Sequence, residues 1–563
     1  MRILNLGCRK DFKNILSVFA CAFFVFSFSA CKTTDENERI HAAINYGEED
    51  VVKDEIKAVE RLLEKKTVEA LWRSSVLVRN APGGAGVSEI FEKCEEKAAS
   101  LYDSFLEEKK YIDAKRIYDS LSAVESKKIA ELKNARTLET LVNSSVPSME
   151  KSSGNEKVST MINGTVTIYV DRGIKVESGV GYKDTVLGSG FFISKNGHIV
   201  TNYHVISSCV DPAYNGYAKL MITLAGDADT KIPARVVGYD KTLDLALLKT
   251  EVDAPYVFEL GSSSSLDIGD RIFVIGSPLG LDRTLTSGIV SATDRDLLPL
   301  GKVFQIDAAV SPGNSGGPMI DAQGRVCAVV FAGVQNYQGL NFAIPVEYLK
   351  AELSVMFAGG KKIHGWMEAF GKTKRTAGAG ARNCGVEVLY VMPGGKLGFS
   401  GIKAGESITA LDGKAVSSLD DLHLYLLGKQ GDSIIRVTVT EEDESGKSVS
   451  KTYPVYLSQR PDNPGYVFYM NDLISSALYP VAGMELVRSS VSDKRLYSIK
   501  KVLKNSAADS AGFSEGDPVR IISCELSEDK SALSVLLYAN KKKNGFLDYG
   551  MSLAAPLDGS QYF

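Results

Sequence analysis

The chain has few of the residues that mark disulfide-stapled, metal-binding or nucleic-acid-binding proteins. Its eight cysteines and five histidines are scattered over 563 residues, and no group of them has zinc-like or paired spacing. We therefore expect no disulfide framework, no metal and no cofactor. A formal net charge of −4 gives no reason to expect nucleic acid as a partner. The 44% hydrophobic and 24% charged residues are ordinary for globular proteins, and the length suggests about three to five domains.

The first 30 residues predict a signal peptide rather than part of the fold. Basic residues precede an apolar run over 15–30, and this run is short for the roughly 20 residues of a membrane-spanning helix, which is the alternative. Ser29 and Ala30 then lead into Cys31, and small residues before a cysteine resemble a bacterial lipoprotein cleavage site. Phe28 stands where that site usually has leucine. The pattern predicts export and a lipid on Cys31.

The rest of the chain divides into stretches that differ in residue composition and in the spacing of apolar residues. Residues 31–146 are charged and have apolar positions at helical spacing, which indicates a spacer or a partner-docking arm. Residues 147–160 are small and polar and predict a linker. From 161 to 358 short β-branched runs alternate with turn residues, which is typical of an all-β barrel or sandwich. Two smaller units, 362–458 and 465–558, share a strand, a small-residue turn, a short helix and a strand, and form an internal repeat.

Three side chains in the β-rich stretch form a candidate catalytic set. Ser315 lies between Gly313 and the pair Gly316-Gly317, as a nucleophile turn requires. His204 follows a small-polar step within an apolar run, and Asp244 precedes another apolar run, with Asp240 as a competitor. Each residue alone is more typical of a structural role. Together, in this order, they predict a base, an orienting carboxylate and a nucleophile, with the N–H groups of Gly313 and Ser315 as oxyanion donors.

The motifs GSGFFISKNGHIVTNYHVI, DLALLK, GNSGGPMIDAQGRVCAVV and LNFAIP, followed by two repeats, resemble the HtrA/Deg serine proteases with PDZ domains. The resemblance spans roughly 161–557 and implies a chymotrypsin-like double β-barrel with His204, Asp244 and Ser315 as its triad. It places regulatory loops near 276–287, 292–302 and 332–341, with Leu340 as a candidate wall of the specificity pocket. It also implies unfolded or misfolded proteins as substrates and a homotrimer or larger assembly.

The two repeats resemble PDZ domains, which take a peptide as an added strand and hold its terminal carboxylate. In the first repeat Gly365, Trp366 and Met367 match the carboxylate loop, and 420–428 predicts the helix beside the groove. Glu368 stands where the family usually has glycine, and its charge would not help to bind a carboxylate. The second repeat is divergent and shows no groove helix, so a structural role is the alternative to peptide binding.

The sequence thus predicts a multidomain protein: an N-terminal α-helical region, an all-β double-barrel protease and two PDZ-like α+β domains. We expect a lipid-anchored serine endoprotease of the bacterial envelope, periplasmic or surface-exposed, that cleaves misfolded proteins. The alternative is a non-proteolytic envelope scaffold or chaperone whose PDZ-like repeats and helical arm are the working parts.

Overall fold

The computed structural model describes residues 46–147, 158–212, 218–277, 283–333, 339–376, 378, 380–442, 448–541, 545 and 548–563. The predicted signal peptide, Cys31 and most of the predicted linker lie outside these ranges. No helix within them is long and apolar enough to span a bilayer. The cysteines within them, Cys94, Cys209, Cys327, Cys384 and Cys524, form no disulfide with one another.

A helical region forms the first described part of the chain. Its helices are α1 (Glu49–Leu63), α2 (Thr67–Asn80), α3 (Val87–Glu107), α4 (Tyr111–Ala123) and α5 (Leu138–Ser144), with a 3-10 turn at Lys127–Glu131. Gly86 takes a φ of +80° before α3, a conformation that glycine adopts at little cost. The large side chains Trp72, Tyr102 and Ile117 are almost fully buried in the core that these helices share.

The helical region is bound to a later part of the same chain rather than standing free. The Trp72 indole N–H donates to the Pro454 carbonyl at 3.0 Å and to the Ser400 hydroxyl at 3.1 Å. The Ile434 N–H donates to the Ser120 hydroxyl at 3.1 Å. Because these donors are buried and satisfied across the contact, the helices and the unit that holds Ile434 and Pro454 form one packed body.

Two β-barrels follow, and together with their flanking helices they form the double-barrel unit (158–358). The first sheet has the order β13-β5-β4-β1-β2-β3-β6, and an added β5–β6 pairing closes it. Its strands are β1 (Thr165–Glu177), β2 (Val180–Phe192), β3 (His198–Thr201), β4 (Lys219–Leu224), β5 (Asp227–Asp240) and β6 (Leu245–Thr250), with β13 (Gly360–Lys361) added from beyond the unit.

The second barrel closes in the order β10-β11-β12-β9-β8-β7. Its strands are β7 (Arg271–Gly276), β8 (Thr284–Arg295), β9 (Val303–Ile306), β10 (Pro318–Ile320), β11 (Val326–Gly333) and β12 (Asn341–Pro345).

An apolar layer joins the two barrels. Phe191 and Val200 of the first sheet share one core cluster with Ile275, Ile320 and Val329 of the second. The helices of this unit are α6 (Val158–Met161), α7 (Tyr203–Val210) and α8 (Val346–Ala358), with 3-10 turns at Ile162–Gly164 and Ser263–Ser265. Each barrel also has its own core, and the shared layer sets how the two barrels face each other.

The third unit (365–459) is an antiparallel sheet with two helices. Its elements are β14 (Gly365–Trp366), β15 (Ala369–Arg375), β16 (Asn383–Val391), α9 (Lys396–Phe399), β17 (Ser407–Leu411), β18 (Lys414–Ala415), α10 (Leu419–Leu427), β19 (Ser433–Glu442) and β20 (Ser448–Gln459). The order β14-β20-β19-β17-β16-β15 leaves β15 at one edge. Ser418 and Asp421 form a capping box that starts α10 where the sequence predicts a groove helix.

The fourth unit (464–556) has a sheet whose strands pair in chain order. Its elements are α11 (Pro464–Asn471), α12 (Ile474–Ala482), β21 (Met484–Arg488), β22 (Leu496–Val502), α13 (Ala507–Ser510), β23 (Pro518–Leu526), β24 (Ala532–Asn540) and β25 (Asp548–Pro556). In the described part of this unit, strands alone follow α13, so no helix lies where a PDZ groove helix is expected.

A buried cluster of four ionisable side chains ties the double-barrel unit to the third unit. His364 Nε2 lies 2.7 Å from Asp240 Oδ2, and Lys362 Nζ lies 3.2 Å from Glu352 Oε2. Lys362 also donates to the Leu427 carbonyl at 3.0 Å. All four side chains are at most 2% exposed. Two acids and two bases removed from water in this way hold β5, α8 and the chain that enters the third unit together.

The cluster shifts the pKa values of its acids in opposite directions. Burial works to raise the pKa of Asp240, but His364 and the Leu243 N–H outweigh burial, and the pKa lies below its usual value. Burial raises the pKa of Glu352, and the nearby Lys362 and His364 oppose this only in part. Asp240 is therefore the acid that keeps its charge most firmly.

We expect Asp240→Asn to lower the free energy of unfolding by about 3 kcal/mol or more, because it removes the acid that contacts buried His364 and attracts the charge of buried Lys362. Urea unfolding followed by tryptophan fluorescence measures the change. The matched control is Asp462→Asn, since Asp462 pairs with Lys241 at 2.8 Å while the two side chains are 55% and 41% exposed. This exposed pair contributes under about 1 kcal/mol. Equal effects of the two substitutions would contradict a stabilising role for the buried cluster.

Candidate active site

His204 and Asp244 lie 40 residues apart in sequence and meet at the first barrel. His204 is in the first turn of α7, directly after β3, and Asp244 is in the turn between β5 and β6. The His204 N–H donates to Asp244 Oδ1 at 2.8 Å, and the ring Nδ1 lies 2.7 Å from Oδ2. Because an ionised carboxylate can only accept, Nδ1 carries the hydrogen, and Nε2 of the neutral ring is left with a free lone pair.

The turn around Asp244 is held in an uncommon backbone conformation. Asp244 has a φ of +55°, which costs energy for a residue other than glycine. The Asn202 side-chain amide donates to the Asp244 carbonyl at 2.8 Å and helps to hold the turn. The competing acid Asp240 is engaged elsewhere, since it accepts from the Thr242 and Leu243 N–H groups and contacts His364. Of the two acids, Asp244 is therefore the one beside His204.

Ser315 lies on a turn that needs glycine at three nearby positions, 313, 316 and 317. Gly313 and Gly316 have φ values of +105° and +86°, in the region that side chains rarely adopt. A Cβ on Gly316 would lie 2.2 Å from the Ser189 carbonyl oxygen, and one on Gly317 would lie 2.3 Å from the Ile275 carbonyl oxygen. The turn is thus packed directly against main chain of both barrels, and this close packing fixes the position of the Ser315 backbone.

Ser189, near the end of β2, organises this turn, and we did not single it out from the sequence. Its N–H donates to the Ser315 carbonyl at 2.7 Å, and its buried hydroxyl donates to the Gly313 carbonyl at 2.6 Å. The Ser189 hydroxyl also accepts from the Ser277 N–H at 3.0 Å, and the Ser189 carbonyl accepts from the Thr201 hydroxyl at 2.7 Å. The signal was present in the small residues of the GSG motif, but nothing local to that motif reveals its partners.

The Ser315 hydroxyl donates to the Phe331 carbonyl on β11 at 3.3 Å, and within the described residues it makes no hydrogen bond to His204. In the same described part, the N–H groups of Gly313 and Ser315 donate to no protein acceptor, whereas those of Asn314, Gly316 and Gly317 are all used within the turn or by β11. These two unused N–H groups, on either side of Asn314, are the kind of donors that bind a developing oxyanion.

The predicted specificity residue lies on the hairpin that carries Phe331. Leu340 directly precedes β12, which pairs with β11, and it packs in part against the core shared by the barrels. Residues 334–338, which complete the predicted loop, lie outside the described residues, as do 278–282 of the first predicted loop. The Gly339 carbonyl accepts from the Gln305 side chain at 3.3 Å, which anchors the start of β12.

The predicted peptide-binding residues of the third unit divide between two environments. Trp366 of β14 is buried and stacks on Phe468 of the fourth unit, with ring centres 5.6 Å apart. Met367 lies in the core of the third unit. Gly365 has no room for a side chain, because a Cβ would lie 2.7 Å from Leu457. Glu368 has a φ of +65°, which accounts for the glycine usual there.

Within the described residues, one group of potential metal ligands lies close together. Oxygen and nitrogen atoms of Asp240, Glu352 and His364 are within 4.8 Å of one another, and all three residues are buried. Lys362 already supplies a positive charge beside Glu352. Within the described residues the group is engaged in contacts between units, although both Glu352 oxygens and His364 Nδ1 make no hydrogen bond there.

Family models match three parts of the chain. A trypsin-like peptidase domain matches 188–329, a TP0546 family PDZ domain matches 465–557, and a domain of unknown function matches 50–142. The first match includes His204, Asp244 and Ser315, and the third covers the helical region.

Similar curated proteins include two named probable periplasmic serine endoprotease DegP-like. The one from Pseudomonas fulva (strain 12-X) is 34% identical over 263 residues, which are 44% of this chain and 51% of that protein. The one from Rhizobium meliloti (strain 1021) is 31% identical over 375 residues, which are 64% of this chain and 71% of that protein. The chain spans between 51% and 64% of the length of the first curated relatives that it matches. A solved HtrA-type protease AlgW with decapeptide covers 54% of this chain and 98% of its own, at 23% identity and a TM-score of 0.44.

We expect Ser189→Ala to slow covalent labelling of Ser315 by a fluorophosphonate by up to about a hundredfold, because the turn loses the bond that holds the Gly313 carbonyl. Gel fluorescence after timed labelling measures the rate. Ser194→Ala is the matched control, since its buried hydroxyl lies 2.7 Å from His198 Nδ1 and away from Ser315. Each variant loses the two hydrogen bonds of one buried hydroxyl, so the stability costs match at about 1 kcal/mol per bond. If both slow labelling equally, Ser189 has no special part in positioning the turn.

Proposed function

The chain belongs to the DegP-like (HtrA) family of serine endoproteases, and on this premise we propose that it is an exported serine endopeptidase that cleaves misfolded or unfolded proteins of the bacterial envelope. The observation that carries the proposal is the His204–Asp244 contact at 2.7 Å, next to a glycine-flanked serine turn on the second barrel. The names of the periplasmic relatives support the compartment.

In this mechanism His204 takes the proton of Ser315 as the hydroxyl oxygen attacks a peptide carbonyl carbon, and then gives it to the leaving amine. Asp244 holds the ring so that Nε2 faces the serine, and it stabilises the imidazolium that forms. The His204 side chain is 46% exposed and Asp244 only 16%, so the base can meet a substrate while its orienting partner is shielded. Water then repeats the sequence on the acyl-enzyme and releases the second product.

Ser315 must first leave the Phe331 carbonyl. A rotation about the Cα–Cβ bond moves the hydroxyl between its staggered positions and requires no movement of the packed turn. The unused N–H groups of Gly313 and Ser315 then stabilise the oxyanion, and the Leu340 side chain contributes a wall to the pocket for the residue before the cleaved bond. A bound substrate would favour this rotation, since it brings the carbonyl that the oxyanion donors bind.

The proposed protein acts on extended chains and needs no cofactor. Its third unit takes part in peptide binding through the Gly365, Trp366 and Met367 loop, and the assembly is a homotrimer or larger. A lipid on Cys31 anchors it to a membrane of the envelope, on the periplasmic side or at the surface.

We expect Ser315→Ala to abolish cleavage of casein, and Asp244→Asn to lower the rate by about ten-thousandfold, because the amide favours the wrong ring tautomer. Release of fluorescent peptides from labelled casein measures both rates. Ser264→Ala, an exposed serine of the same unit, is the matched control and should cleave like the wild type. Equal activity of the wild type and Ser315→Ala would leave the non-proteolytic scaffold as the better account.

We expect Cys31→Ala to move the protein from the detergent phase to the aqueous phase in Triton X-114 partitioning, because the acyl chains that carry the anchor are lost. Cys21→Ala is the matched control, since that cysteine lies within the predicted signal peptide and is removed on export. Immunoblots of the two phases report the distribution. Unchanged partitioning of Cys31→Ala would refute lipidation at this position.

A further inference from the structure

The free edge of β15 in the third unit is covered by a short segment from the other end of the fold. The Ala369 N–H donates to the Phe563 main-chain oxygen, and the Phe563 N–H donates to the Ala369 carbonyl, both at 3.0 Å. The Gly371 N–H donates to the Gln561 carbonyl at 3.0 Å. Phe370 and Tyr562 are therefore antiparallel partners. This is the pairing by which a PDZ domain adds a peptide strand to its sheet.

The Phe563 ring fills a pocket between β15 and the groove helix α10. The residue is 1% exposed and shares a core cluster with Met367 and Ala369 on one side and Leu422 and Leu426 of α10 on the other. A Cβ on Gly371 would come within 2.9 Å of the Phe563 ring, so the glycine leaves the space that the ring needs. An aromatic side chain is thus held where PDZ domains hold the last side chain of a ligand.

The acidic residue in the loop that starts β15 is bound outside the groove. The Glu368 carboxylate accepts from the Lys396 N–H and the Ser458 hydroxyl, each at 2.7 Å, so its charge is satisfied outside the strand pairing. Its left-handed backbone turns the chain into β15, where the next N–H, that of Ala369, meets the Phe563 oxygen. The negative charge that the sequence places in the loop therefore does not exclude a peptide.

Two further contacts secure the segment and join it to the fourth unit. Asp558 pairs with Arg460, whose side chain is 3% exposed. The Tyr562 hydroxyl donates to the Pro480 carbonyl at 3.0 Å, and its ring packs against Phe370 and Phe468. The segment leaves β25 of the fourth unit and crosses to the third, so its docking fastens one unit to the other.

We infer that residues 558–563 are a peptide ligand of the third unit, bound in cis in its PDZ groove, and that peptides with an aromatic residue at the position of Phe563 compete for the same groove. The segment is tethered through the fourth unit, so its effective concentration at the groove is in the millimolar range. A competing peptide with the same contacts binds weakly until the segment is displaced. Displacement also removes the Tyr562 contacts, which weakens the attachment of the fourth unit to the third and leaves the Trp366–Phe468 stack in place.

The test measures binding of the fluorescein-labelled peptide DGSQYF, the sequence of 558–563, by fluorescence anisotropy. The full chain and a variant lacking 561–563 are compared, with circular dichroism to check that both are folded. We expect the dissociation constant to be at least about tenfold lower for the shortened variant, because the tethered competitor is gone. Equal affinities, or no binding to the folded shortened variant, would overturn the inference.

A point variant keeps the test decisive if the shortened chain does not fold. Phe563→Ala retains the strand but empties the pocket, so it should also bind the peptide more tightly than the wild type. Tyr538→Ala removes an aromatic ring that is 57% exposed on the fourth unit, and as the matched control it should not change the affinity. The peptide DGSQYA should bind none of the proteins, since it lacks the ring.

Hydrogen exchange on the unaltered protein gives an independent readout. Excess DGSQYF should speed exchange in 558–563, because the displaced segment loses its pairing, while Ala369 and Gly371 stay protected by the incoming strand. No change in the segment at saturating peptide would contradict displacement. These measurements report binding alone, so they can succeed or fail whether or not Ser315 is a protease nucleophile.

Discussion

The close approach of the Ser315 turn to the end of β2 is the constraint on which the candidate site depends. Gly316 has no space for even a methyl group beside the Ser189 carbonyl, and Ser189 binds main chain on both sides of Asn314. These contacts hold the second barrel against the first. His204 and Asp244 both belong to the first barrel. The distance from His204 to Ser315 is therefore set by these contacts between the barrels and not by any contact among the three residues.

Contacts between distant parts of the chain also join the double-barrel unit to the other units. The buried pairs His364–Asp240 and Lys362–Glu352 lock the double-barrel unit to the chain that enters the third unit. The helical region packs on the third unit through Trp72, and the 558–563 segment pairs with the free edge of the third unit's sheet. The third unit is thus the point at which every other part of the described chain meets. A ligand that altered the groove of the third unit would therefore affect the contacts of this unit with the other parts of the described chain.

Much of this arrangement was predictable, because it rests on local patterns. Alternating β-branched runs predict the barrels, and the order of His204, Asp244 and Ser315 with flanking glycines predicts a nucleophile site. The prediction of a helix over 420–428 matches α10, whose Ser418 cap is visible in the sequence. The sequence favours Asp244 over Asp240 because Asp244 directly precedes an apolar run, whereas Lys241 and Thr242 follow Asp240. The partners of the two acids come only from the structure: Asp244 lies beside His204, and Asp240 contacts the distant His364.

The sequence by itself determined the elements, the candidate side chains and the repeat, since each depends on residues that are neighbours along the chain. The tertiary structure alone decided the role of Ser189, the burial of Trp366 against Phe468 and the strand that Phe563 adds to β15. Each of these joins residues about 100 to 200 positions apart. Such contacts follow from how completed units pack, and packing selects among surfaces that a local pattern cannot distinguish.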